Sequence, residues 1–233
     1  MATFPYLICF AVVQSAIGYY LKYLAGNEDY LFILGLTGSI GSGKTEAANI
    51  LAEKGVPIID ADQKGHELYA PGTDVQMSLV KIVGESILSE HGKINRSVLG
   101  KFIIEKPHLL EQVNKLLHPL IRNRIEEEIN ILKNSGELTI AVQVPLLFQA
   151  KWEDLFDEIW AIETAENIAI ARLVSSRGID SKFAQNWISS QGDSKTFTEK
   201  ADVVIRNEGT LSEFKLKVDK IWTERNPYRG KHD

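Results

Sequence analysis

Residues 38–45, Gly-Ser-Ile-Gly-Ser-Gly-Lys-Thr, satisfy the pattern G-x-x-x-x-G-K-[ST] at every position. The apolar run Leu31 to Leu36 precedes the string and an Ala-rich run, Glu46 to Lys54, follows it, which is the strand, loop and helix setting that the pattern demands. Few strings constrain a fold so tightly. Gly38, Gly41 and Gly43 let successive backbone N–H groups turn inward around an anion, and the helix that follows points its positive end at the same spot. Lys44 adds a mobile charge and Thr45 a hydroxyl suited to Mg²⁺. The arrangement implies a nucleoside triphosphate cradle, with Gly38, Ser39, Ile40, Gly41, Ser42, Gly43, Lys44 and Thr45 as its contacts. A glycine-rich turn that binds nothing fits the string alone but not its surroundings.

Beyond the cradle the chain alternates strand-like and helical runs. Val56 to Asp60, Leu138 to Leu147 and Asp157 to Ile162 read as strands; Gln63 to Tyr69, Thr73 to Val83 and Arg96 to Glu127 read as helices. Such alternation predicts an α/β fold, a parallel sheet flanked by helices, with ligands at the carboxyl ends of the strands. That edge would gather the cradle, Asp60-Ala61-Asp62 and Pro145 to Gln149. Two carboxylates at i and i+2 after a strand can divide their work, one facing phosphates and Mg²⁺ and the other an incoming hydroxyl. An acidic turn in which Asp caps the next helix is the competing reading.

Composition narrows the class. The 233 residues suffice for one domain with a large core and an inserted lid, and a net charge of -5 disfavours a polynucleotide partner while leaving room for small anionic ligands. Cys9 is the single cysteine, so neither an internal disulfide nor a cysteine metal cluster is possible and the interior of a cell is the expected compartment. Residues 1–30 follow a different pattern: Phe4 to Leu21 is almost wholly apolar and uncharged, of borderline length for a membrane span. A secretory signal is disfavoured, because no Lys or Arg precedes the run and no small-residue cleavage site follows it. Two readings stay open, an N-terminal anchor with Lys22 favouring a cytoplasmic catalytic part, or a start assigned upstream of the true one. Membrane contact is expected only through residues 1–30.

An ordered series of motifs accompanies the cradle: Ile59-Asp60-Ala61-Asp62, His66-Glu67, Ala70-Pro71-Gly72, Leu117-His118-Pro119-Leu120-Ile121, Pro145-Leu146-Leu147-Phe148, and Ala201-Asp202-Val203-Val204-Ile205 with Asn207 and Gly209. The series, from about Phe32 to Trp222, resembles dephospho-coenzyme A kinase. The resemblance implies a P-loop fold of the nucleoside-monophosphate-kinase type with a core, a helical substrate region and a lid. It also implies ATP-dependent phosphorylation of the ribose 3′-hydroxyl of dephospho-coenzyme A, with ATP and Mg²⁺ required. Residues 31–226 would form the kinase domain and 227–233 a tail; oligomeric state is left open. By position, Asp62 matches the general base and Asp60 its partner and metal contact, with Thr45 the second metal contact. His66, His118, Pro119, Pro145 and Leu146 join Asp62 on the substrate side. His118, ahead of a helix-breaking proline, could equally be a structural cap. Arg172 and Arg177 suit the lid, where guanidinium groups neutralise phosphoryl charge, against the alternative of an exposed basic face. Asn207 and Gly209 fall on the loop that approaches the adenine, although Gly209 could be a turn residue only.

Several positions depart from that pattern. Ser39 stands where glycine is usual, which is harmless if the position needs no positive φ, and Glu46 adds a charge beside the phosphate end. Gln143 and Gln149 stand where the family commonly has acids, and Asn186-Trp187 where a basic residue is common ahead of Gln191. These changes point to a slower kinase more than to lost activity. Another small-molecule or nucleoside monophosphate kinase, and a nucleotide-binding protein that has lost turnover, are the remaining alternatives.

Overall fold

The computed structural model describes residues 30–191 and 194–228. Five strands, β1 (Phe32–Thr37), β2 (Ile58–Asp60), β3 (Thr139–Gln143), β4 (Glu158–Glu163) and β5 (Val203–Arg206), form one sheet in the order β2-β3-β1-β4-β5. Every pairing is parallel. Parallel strands must be joined by crossovers that cover both faces, so each strand is apolar along its length. Alternate residues feed opposite layers, as the two-residue period requires. Leu34, Leu36, Ala141, Trp160 and Ile162 pack against α1 (Lys44–Ala52) and the last helix (Leu211–Arg225), while Ile140, Val142, Ile159 and Ala161 pack against the long helix Pro107–Asn134. Burying this apolar surface is the main stabilising term.

The strand order places the ligand crevice. Chain connections leave β1 toward β2 on one side and leave β3 toward β4 on the other, so the crevice opens between the carboxyl ends of β1 and β3. There the Thr37 hydroxyl donates to the Pro145 carbonyl at 3.3 Å. A third cluster, built on Tyr69, Leu79, Ile87, Leu99 and Val113, gives the helical region its own small core. A fourth joins Ile40 of the cradle to Leu173 and Ala184 of the two helices Glu166–Arg177 and Ser181–Ser190.

The expected single helix from Arg96 to Glu127 is two helices, Arg96–Glu105 and Pro107–Asn134. The cause is Pro107, whose ring drives Lys106 to φ -130 and ψ 86, out of the helical region, and then starts the next helix as its first residue. Pro119 does not break the helix that contains it. Buried Val113 before it and Ile125 and Ile129 after it hold one continuous rod of 28 residues. The strand expected to reach Leu147 stops at Gln143, with Pro145 turning the chain into the short helix Leu147–Ala150. The ends of the described chain meet where the Tyr228 hydroxyl donates to the Tyr30 carbonyl and the Tyr30 hydroxyl donates to Asp157. Among the described residues no helix is long and apolar enough to cross a membrane. The run Phe4 to Leu21 lies outside the described residues.

Because Pro119 is exposed and sits inside a helix, Pro119→Ala should raise the unfolding free energy by about 1–3 kcal/mol. Denaturant titration reads the change, and a loss of stability would show that the helix needs the ring.

Candidate active site

The cradle begins where β1 ends. Gly43 is left-handed at φ 104 and caps α1, and a Cβ added there would lie 2.2 Å from Asn207 Nδ2. Gly38, at φ 137, would press a Cβ to 2.2 Å from the Ile162 carbonyl oxygen. Conformation and packing therefore both exclude a side chain. Ser39 needs no such freedom, since Lys151 is the sole non-glycine residue with positive φ among the described residues.

Lys44 is buried at 8% exposure, and its ammonium donates to the carbonyls of Gly38 at 2.8 Å and Ser39 at 2.9 Å. Desolvation, the largest effect, lowers its pKa to about 8; the charges of Asp62 and Asp60 oppose the drop and that of Arg177 adds to it. Behind the loop, Arg172 donates to the Gly41 and Ser42 carbonyls, each at 3.4 Å, and to the Asn207 carbonyl at 3.1 Å. Asn207 is buried and its Nδ2 donates to the Ser42 carbonyl at 2.8 Å. Together they hold the loop's carbonyls, which favours presenting its N–H groups to an anion.

Asp60 ends β2 and caps the helix Ala61–Leu68: its Oδ1 accepts from the N–H groups of Asp62 at 2.8 Å and Gln63 at 3.2 Å. The capping reading of Asp60 thus holds, leaving Oδ2, which accepts from Gln143 Nε2 at 3.4 Å, as its outward oxygen. Asp62 points into a cavity of about 560 Å³. The cavity's open mouth leaves Asp62 accessible to water, yet close walls still desolvate it and raise its carboxyl pKa. The neighbouring Asp60 charge raises it further, while Lys44, His66 and Arg177 pull it down. A carboxylate raised in this way is a better proton acceptor at neutral pH.

The cavity runs from the cradle to the helical region. Its walls bring together Ile40, Gly41, Gly43, Lys44, Thr45, Asp62, His66, His118, Pro145, Leu146, Arg172 and Arg177 of the expected set. Burial lowers the pKa of both His66 and His118, with the Arg96 charge adding to the effect on His66. His118 sets its ring edge against Trp152 with centroids 5.7 Å apart. Asp60, Asn207 and Gly209 brace the site from outside this wall, Gly209 immediately before the Thr210–Glu213 capping box. Pro119 is exposed and off the wall, so the structure does not bring it to the substrate side. Sequence reasoning missed Arg96, Asn114 and Trp152, which line the helical half; the lone basic residue just after the Asn95 cap was the available signal for Arg96.

The sequence model of the dephospho-CoA kinase family matches residues 32–213. The chain belongs to the dephospho-CoA kinase family. A dephospho-CoA kinase of Carboxydothermus hydrogenoformans is 36% identical over 179 residues, covering 77% of this chain and 87% of that protein. One from Geobacter sulfurreducens is 32% identical, covering 84% of this chain and 99% of that protein. A solved structure from Thermus thermophilus shares the fold with a TM-score of 0.70 at 22% identity, covering 84% of this chain and 98% of its own.

The departures from the family's pattern find places in the structure. Gln143 is buried and donates to Asp60, where a carboxylate would set a third negative charge beside Asp60 and Asp62. Gln149 Nε2 donates to the Gln191 carbonyl at 2.7 Å, and Gln191 Oε1 accepts from the Ile40 N–H at 2.7 Å, tying the end of the helix Ser181–Ser190 to the cradle. Glu46 lies off the cavity wall, within electrostatic reach of Lys215.

A bound nucleotide phosphate raises the Lys44 pKa above its free value of about 8. Affinity is then full below that pH and falls as pH rises from about 8 toward the bound-state value, with a proton taken up on binding. Calorimetry at pH above 8 in two buffers of different protonation heat should show that uptake, and Lys44→Arg should abolish it. Binding without proton exchange in the unaltered chain would contradict the desolvated ammonium.

Proposed function

We propose that the protein transfers the γ-phosphoryl group of ATP to the ribose 3′-hydroxyl of dephospho-CoA, forming CoA and ADP, the last step of CoA biosynthesis. The observation that carries this reading is one cavity whose lining joins the phosphate cradle, Asp62 with its raised carboxyl pKa, and side chains of the helical region from Arg96 to His118. Arg96, whose guanidinium makes no ion pair or hydrogen bond among the described residues, is placed to meet an anionic diphosphate, and Leu99, Ile103, Val113 and Leu117 to pack an uncharged arm.

In the reaction, loop N–H groups and Lys44 hold the β- and γ-phosphates. Asp62 accepts the proton of the 3′-hydroxyl as its oxygen attacks phosphorus, and ADP leaves from the opposite side. Charge spread over the transferring group is met by Lys44 and Arg177, while Arg172 keeps the loop in its binding shape. The Thr45 hydroxyl and Asp60 Oδ2 are hard oxygen donors of the kind that would hold Mg²⁺. Held by these oxygens, Mg²⁺ would supply charge neutralisation to the phosphates. Residues 31–226 act as the kinase domain, and the reaction belongs in the cytoplasm, where ATP is at hand.

Replacing the base separates chemistry from binding. Asp62→Asn should lower kcat by about 10²–10⁴-fold while the dissociation constant for Mg-ATP stays within about threefold. Retained turnover would remove Asp62 from the base role.

A further inference from the structure

Arg177 ends the helix Glu166–Arg177, where Gly178 in the left-handed conformation closes the last turn. Its charge reaches both Lys44 and Asp62, and it lines the cavity beside them. Yet among the described residues its guanidinium makes no hydrogen bond and no ion pair. A long exposed guanidinium without partners samples many rotamers, few of which serve a phosphoryl group. One contact restrains it: the guanidinium carbon sits 5.0 Å from the ring centroid of Trp187.

We infer that Trp187 is a positioning residue whose indole face holds the Arg177 guanidinium over the transferring phosphoryl group. The indole is fixed in turn. It is half-buried on the helix Ser181–Ser190, packs in the cluster around Ile40, Leu173 and Ala184, and meets Phe183 one turn earlier edge-on, with centroids 5.9 Å apart. Because Ile40 belongs to that cluster, the platform for the arginine is referenced to the cradle itself. Trp has the strongest cation-attracting face of the aromatic side chains, and Arg stacks on it flat, leaving its N–H edge free for phosphate oxygens. A basic side chain at 187 would instead repel Arg177.

The inference rests on the phosphoryl-transfer reading above, and the test keeps the two apart. Steady-state kinetics are measured on the full chain for Trp187→Leu and Trp187→Phe, each also in an Arg177→Gln background, with rates referred to the nucleotide-binding fraction. Trp187→Leu is expected to lower kcat about three- to tenfold with the KM for ATP within about twofold, and Trp187→Phe to recover part of the loss. In the Arg177→Gln background, itself lowered about a hundredfold, Trp187→Leu should cost nothing more. Unchanged kcat in Trp187→Leu, equal loss in the Phe and Leu variants, a loss confined to KM, or the same loss in both backgrounds would each overturn the positioning role. Full activity of Arg177→Gln would overturn it too. No CoA formed by the unaltered chain would instead sink the reaction it rests on.

Discussion

A desolvated positive charge organises this molecule. The Lys44 ammonium is carried out of water on the first turn of α1 and rests on two backbone carbonyls that cannot neutralise it. Such burial is costly without an anion, and an anion is what the surrounding loop is shaped to receive. The requirement then propagates: glycine is needed at 38 and 43, where a Cβ would strike the Ile162 carbonyl and Asn207, and Arg172 and Asn207 must occupy the loop's outward carbonyls.

The same charge shapes the acid chemistry next to it. Asp62 would be pushed further toward protonation by its crowded walls and by Asp60 were it not for Lys44, His66 and Arg177. Its proton affinity is thus set by opposing influences, with desolvation the largest and the net effect upward. Gln143 keeps that balance by offering Asp60 an amide in place of another carboxylate. The two glutamines that looked like losses in the sequence therefore have structural roles, one beside the acids and one, Gln149, in the tie through Gln191 to Ile40.

Legibility in the sequence followed how local each requirement is. The cradle was readable because left-handed backbone and close approach leave only glycine, and the strands because burial on both faces forces continuous apolar runs. Asp60 and Asp62 were readable as a pair, and the structure divides them into a cap and an open carboxylate. The helix break went unread because two prolines competed for it. At Pro107 the preceding Lys106 leaves the helical region and the proline opens a new helix, whereas at Pro119 the helix runs on, with buried Val113, Ile125 and Ile129 on either side. Arg96, Asn114 and Trp152 were invisible because they converge only after the helical region folds back on the sheet. Trp187 was noticed as a missing basic residue, and its use as a platform for Arg177 shows only in three dimensions.

One cavity joins the phosphate cradle to Asp62, and in the reaction proposed above it places a specific 3′-hydroxyl between them. The most direct measurement supplies Mg-ATP with dephospho-CoA, AMP, CMP and adenosine in parallel, separates products by chromatography and assigns the position of the new phosphate by phosphorus NMR. The expected product is CoA alone, phosphorylated at the 3′-position. Preferential phosphorylation of another acceptor, or nucleotide binding with no transfer to any of them, would contradict it.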